Sequence, residues 1–130
     1  MDFRNISRKH IGTYGELAVS EYLKRRGATI VGRNIAWKTG ELDVIARKSD
    51  ILHFVEVKSM LCETFPSGRE ADGHDPASNL HAAKIRKVAR TAEWFVLQSG
   101  WEGEWQIDGA VVWIRASDGL ARIRYYPQIL

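Results

Sequence analysis

Along the first part of the chain, apolar residues recur at helical spacing: Ala18, Val19, Tyr22 and Leu23 fall within residues 11–26, and Gly27 follows a basic last turn. That period with a glycine stop predicts an amphipathic helix. Glu16 lies at the border of the apolar stripe, where a side chain can look inward, although the helix by itself favours a plain surface glutamate. Gly12 and Gly15 are weak helix formers, easier to accept if another element packs closely there. The pattern then changes to short runs rich in β-branched and aromatic residues. Residues 29–37 predict a strand, ended by the Lys38-Thr39-Gly40 turn. Two further runs, Gly40-Glu41-Leu42-Asp43-Val44-Ile45-Ala46 and Leu52-His53-Phe54-Val55-Glu56-Val57-Lys58, flank the polar Lys48-Ser49-Asp50 and predict a β-hairpin.

Within that hairpin, matching apolar partners sets the register: Val44 faces Val55, Ile45 faces Phe54 and Leu42 faces Val57, with a four-residue loop from Lys48 to Ile51. Asp43 then stands opposite Glu56. Opposed like charges in an antiparallel pair, with Cβ atoms roughly 4.5–5.5 Å apart, are destabilising, and a bound divalent cation would compensate them. Lys58, two residues after Glu56, projects to the same face because strand side chains alternate. An ordinary cross-strand ion pair between Glu41 and Lys58 accounts for part of the same charge. A one-residue slip would send Asp43 and Glu56 to different faces and lose the apolar match.

Beyond the hairpin, residues 59–77 turn polar and irregular, with Pro66, Gly68, Gly73 and Pro76 breaking any period, and predict a long mobile loop. A second helix starts near an Asp75-Pro76 or Ser78 cap, carries an apolar stripe of Ile85, Val88, Ala92, Phe95 and Val96, and ends near Gly100. Strands over 105–115 and 120–126 join through Ser117-Asp118-Gly119. The order αβββαββ predicts one α/β domain over residues 1–130, a mixed sheet flanked by helices.

Composition narrows the class. At 45% hydrophobic and 27% charged the chain is ordinary globular protein, and its formal charge of +3 does not by itself indicate a nucleic-acid binder. The single Cys62 has no internal disulfide partner, the polar opening lacks a secretory h-region, and no run reaches the roughly 18 apolar residues of a membrane span, so a cytoplasmic protein is expected. Charge distribution says more: Lys24, Arg25, Arg26 and Arg33 cluster after the first helix, and Lys84, Arg86, Lys87 and Arg90 crowd the second. Such clusters suit phosphate contact, or simply a solvated helix face. His53, His74, His81 and Cys62 lack the spacing of a zinc site. Trp37, Trp94, Trp101, Trp105 and Trp113 are read mainly as packing residues, with stacking on unpaired bases as the other use, and Asp108 as a buried structural acid paired with a basic residue.

Asp43 followed on the next strand by Glu56-Val57-Lys58 resembles the PD-(D/E)XK nuclease pattern, with Leu42 in place of the proline, on the element order of that superfamily's core. More narrowly, Gly15-Glu16, Arg33-Asn34, Gly40-Glu41-Leu42-Asp43, Phe54-Val55-Glu56-Val57-Lys58, the basic helix around Lys84 and Gln106-Ile107-Asp108 resemble the YraN family. Its members are small bacterial proteins expected to be endonucleases, similar to archaeal Holliday-junction resolvases. The resemblance spans nearly the whole chain and departs from the family pattern around residues 67–74.

It implies a restriction-endonuclease-like domain that hydrolyses phosphodiester bonds of structured or branched DNA with Mg2+ or Mn2+, and a homodimer is the assembly that a two-fold junction would favour. It assigns Glu16, Asp43, Glu56 and Lys58 to catalysis. Magnesium takes oxygen ligands and needs only a carboxylate or two from the protein. Asp43 and Glu56 would be direct ligands, the Val57 carbonyl a further oxygen, and Glu16 a ligand through water or at a second metal. Lys58 would orient the attacking water and stabilise transition-state charge. Arg33, Lys84, Arg86, Lys87 and Arg90 are the expected nucleic-acid contacts. The same residues also fit two other proteins: a nucleic-acid-binding or adaptor protein with little intrinsic activity, and an interaction module whose Asp43, Glu56 and Lys58 form an internal ion-pair network.

Overall fold

Ser7 and Gly27 bracket the first helix in the computed structural model, which describes residues 2–67 and 82–130. Helix α1 spans Arg8–Arg25, with the Ser7 side chain accepting from the His10 N–H. It starts earlier than the apolar period because its capped first turn is polar and carries no stripe. At its end Gly27 adopts φ +89°, its N–H donates to the Lys24 carbonyl, and the Ala28 N–H donates to the Leu23 carbonyl, a Schellman closure.

Five strands follow: β1 Thr29–Trp37, β2 Gly40–Lys48, β3 Ile51–Cys62, then, after helix α2 Ala82–Ser99, β4 Glu104–Arg115 and β5 Ala121–Tyr126. They form one sheet in the order β1-β2-β3-β4-β5. Only the β3–β4 pair is parallel, because the crossover carrying α2 joins those two strands, while the other neighbours are antiparallel. The fold is thus a mixed α/β domain with the expected αβββαββ order. The helices pack on separate apolar clusters. Val19 and Leu23 of α1 share one with Val44, Ala46, Val55, Val112 and Ile114. Val88 and Ala92 of α2 share the other with Leu42, Ile45, Leu52, Phe54 and Ile107, joined at its margin by Trp101 and Trp105. Phe3, in the opening read as polar, is buried against the first cluster.

Two sequence expectations need correcting. The hairpin loop is two residues, not four: Lys48 pairs with Ile51, and Ser49 and Asp50 have φ of 52° and 61°, the left-handed pair of a type I′ turn. Such turns favour Asn-Gly, so Ser-Asp gave no signal. The loop expected from residue 59 begins later, since Ser59, Met60, Leu61 and Cys62 continue β3 against Val112, Trp113, Ile114 and Arg115 of β4. A parallel neighbour supplied from far along the chain holds this stretch, which lacks the alternation of an exposed strand. Cys62 is therefore a strand residue. Residues 68–77 of the expected loop, and the Asp75, Pro76 and Ser78 start of the second helix, lie outside the described residues.

Candidate metal-binding cleft

The site lies where β2 and β3 part. Their ladder runs from Lys48 and Ile51 to Val44 and Val55 and ends there, while β2 stays paired with β1 as far as Gly40 and β3 stays paired with β4 as far as Cys62. The expected facing pairs of Asp43 with Glu56 and Leu42 with Val57 are not rungs of this ladder. Opposed carboxylates would have stood there, and instead the Asp43 Oδ2 accepts the Val57 N–H at 2.9 Å. The side chain thus replaces a lost strand bond.

Burial shows the same break. Leu42 and Ile45 both enter the α2-side cluster although an odd number of steps separates them, while Val44 enters the α1-side cluster. Strict alternation cannot do this, so β2 is irregular around Asp43. The opposing strand is distorted at the same level. Arg33 pairs with Val44 and Ile35 with Leu42, which leaves Asn34 across from Asp43, in a left-handed conformation at φ 53°. Asn tolerates that region better than most residues.

An open cleft of about 650 Å³ forms at the fork, lined among others by Glu16, Asp43, Glu56, Lys58 and Lys84. The structure therefore brings the four expected catalytic side chains to one cavity. Helix α1 delivers Glu16 because Gly15 lets it approach β3: a Cβ there would lie 1.8 Å from the Ser59 Oγ. Gly12 has no such neighbour.

The division of labour among the acids differs from expectation. Glu16 from α1 and Glu41 and Asp43 from β2 each offer an oxygen within 4.8 Å of the others, a group that could hold a cation. Asn34, with its amide nitrogen turned to the carboxylates, donates to both Glu16 oxygens at 3.0 and 3.1 Å and to Glu41 at 3.0 Å. Glu56, buried, is instead held by the Lys84 Nζ at 2.8 Å. So Glu41 sits with the acids, where the sequence had offered it to Lys58, and Lys84 reaches into the cleft. Val57 contributes its N–H to Asp43. Asn34 and Glu41 stand inside motifs legible in the sequence, but only the fork gives them a place.

Electrostatics follow from this crowding. Burial, then the charge of Glu56, pushes the Asp43 carboxyl from 3.8 up to about 8, against the pull of the Val57 N–H. Burial also raises Glu16, opposed by the Asn34 hydrogen bond and by Arg33. The hydrogen bond from Lys84 to Glu56 raises the ammonium's pKa. Arg33, Arg86, Lys87 and Arg90 are exposed. Asp108 lies elsewhere, fully buried in a network that receives His53 Nδ1 at 2.7 Å, Gln106 Nε2 at 2.8 Å, the Gln128 N–H at 2.9 Å and the Tyr125 hydroxyl.

This is a mixed-sheet α/β domain with an acid-lined fork between its central strands. By sequence the chain belongs to the uncharacterised protein family UPF0102, whose profile matches residues 15–114. It is 34% identical to a UPF0102 protein of Campylobacter jejuni over 97 residues, 75% of this chain and 78% of that one. A UPF0102 protein of Desulfosudis oleivorans is 36% identical over 96 residues, 74% of this chain and 72% of the relative. The matched span holds every residue of the cleft named above. No helix among the described residues is long and apolar enough to cross a membrane.

Proposed function

We propose that the protein is a metal-dependent endonuclease that hydrolyses phosphodiester bonds of structured or branched DNA. The observation that carries this reading is the meeting of Glu16, Glu41 and Asp43 within 4.8 Å at the mouth of a cleft whose other walls supply Lys58 and Lys84. Gathered carboxylates repel one another, and the Asp43 and Glu16 carboxyls are raised by burial first and by that repulsion in addition. A hard divalent cation with oxygen ligands relieves it, and the donor set suits Mg2+ or Mn2+ better than a softer metal. Such a cation supplies charge neutralisation at a phosphate and a hydroxide near neutral pH. Lys58, exposed on the rim, is placed to stabilise the anionic phosphorane-like charge. Lys84 adds a fixed positive charge beside Glu56.

That same ion pair favours a second reading. A lysine neutralising Glu56 in place of a metal suits a nucleic-acid-binding or adaptor protein with little activity of its own. Calorimetric titration with Mn2+, paired with cleavage of labelled four-way junctions and flaps, separates the two. The nuclease reading expects cation binding that disappears in Asp43→Asn, and cleavage only with metal. DNA binding without cation binding or cleavage would leave the adaptor, and the absence of both would sink both readings.

A further inference from the structure

Trp37, at the end of β1, lies flat on Trp94 of α2, ring centroids 4.4 Å apart and planes within 6°. Trp94 is braced in turn by Phe95, edge-on at 6.5 Å, and Phe95 packs into the α2-side core against Phe54. The turn that carries Trp37 is fixed to α2 by the Thr39 and Thr91 hydroxyls at 2.7 Å. The outer indole is therefore rigidly backed yet 40% exposed. With Trp94 on one face, the ring's remaining neighbour is the Lys38 ammonium, a flexible cation 5.5 Å from the centroid that an incoming base would displace toward its own phosphate.

The surface between this indole pair and the cleft is cationic. On α2, Lys87 and Trp94 are seven residues apart and share one stripe, with Arg90 between them and Lys84 one turn before Lys87. Lys84 touches Glu56 in the cleft, and Lys87 and Arg90 are exposed. At about 1.5 Å per residue, Trp94 lies roughly 15 Å along the helix from Lys84. A stacked strand advances about 3.4 Å per nucleotide, so that distance corresponds to about four nucleotides.

We propose that Trp37, stacked on Trp94, receives an unpaired base of a DNA strand whose phosphates follow Lys87 and Arg90 from the acidic cleft. The inference rests on the nuclease reading for its strand and adds the substrate class: DNA with a single-stranded segment about four nucleotides from the phosphate beside Lys84, such as a flap or an opened branch. An aromatic face stacks on any base, so the site selects unpaired structure and not sequence. Lys38, above the ring, is placed to meet the adjacent phosphate.

The test uses the full chain in EDTA, where cleavage is silent. Duplexes with an eight-nucleotide single-stranded tail and blunt duplexes of equal length are compared by fluorescence anisotropy, and a 2-aminopurine is walked through the tail. Base stacking on one indole is expected to favour the tailed duplex by roughly 5- to 150-fold. One tail position, near the fourth nucleotide, should show quenched 2-aminopurine emission. Trp37→Ala should remove the preference and the quenching, and Trp37→Tyr should restore both. Should Trp37→Ala fail to fold, the wild-type quenching profile decides. Equal affinity for tailed and blunt duplexes, or flat quenching along the tail, overturns this inference and leaves the nuclease reading standing. No binding to either duplex at low salt, in EDTA and again with Ca2+ in its place, overturns both.

Discussion

Asp43→Asn should stabilise the metal-free protein at neutral pH. The folded Asp43 carboxyl is held near 8, against 3.8 for an ordinary one, by burial first and the Glu56 charge second. Between those values the folded protein keeps a proton that the unfolded chain has released, so stability falls as pH rises, by up to about 1.4 kcal/mol per pH unit. The loss begins near pH 4 and levels off above about 8. At pH 7 it amounts to at most about 4 kcal/mol, and an asparagine, which carries no charge, escapes it. Asn also keeps an oxygen to accept the Val57 N–H, so the substitution leaves that bond in place.

For a chain of 130 residues, about 4 °C of melting temperature corresponds to each kcal/mol, so the variant should melt roughly 5 to 15 °C higher than wild type in EDTA at pH 7.5. Lowering the pH to 5 should close most of that gap. Saturating Mn2+, at about 100 times its dissociation constant, should raise the wild type by about 2.7 kcal/mol and leave the variant unmoved. Differential scanning fluorimetry across pH, with and without Mn2+, reads all of this. A wild-type melting temperature that climbs between pH 5 and 8 would refute the electrostatic reasoning, and equal Mn2+ stabilisation of both proteins would place the cation elsewhere.

Three other outcomes are expected. Gly15→Ala should destabilise by about 1–3 kcal/mol, since its Cβ would fall 1.8 Å from the Ser59 Oγ, and Ser59→Gly should recover much of the loss in denaturant melts. Asp108→Asn turns an acceptor of four donors into a group that must present hydrogens to some of them, at a cost of about 2–4 kcal/mol by urea unfolding; a neutral result would show the network to be dispensable. Lys87→Ala and Arg90→Ala should each reduce the log-log salt slope of duplex binding by roughly 0.9, read by anisotropy from 50 to 200 mM salt, and an unaltered slope would move the DNA surface off α2.

Periodicity and turn residues placed the two helices, the five strands except the end of β3 over residues 59–62, and the register from Val44 to Lys48, because apolar side chains on a two-residue or 3.6-residue repeat have only one way to reach a core. The sequence also singled out Asp43 and Glu56, since acids in otherwise apolar strands conflict with folding unless something uses them, and strand alternation put Lys58 on the face of Glu56, whereas Glu16 came only from the resemblance to known nucleases. What it did not contain was the end of the ladder at Val44 and Val55. Strand separation depends on β3 choosing β4 and β2 choosing β1 as their continuing partners, and β4 arrives from across the α2 crossover. That choice opened the fork, drew Asp43 onto the Val57 N–H, set Asn34 and Glu41 beside Glu16, and left Glu56 to Lys84. Charges that local spacing leaves equally free to pair are sorted by distance and burial. Both of those exist only once distant segments have met.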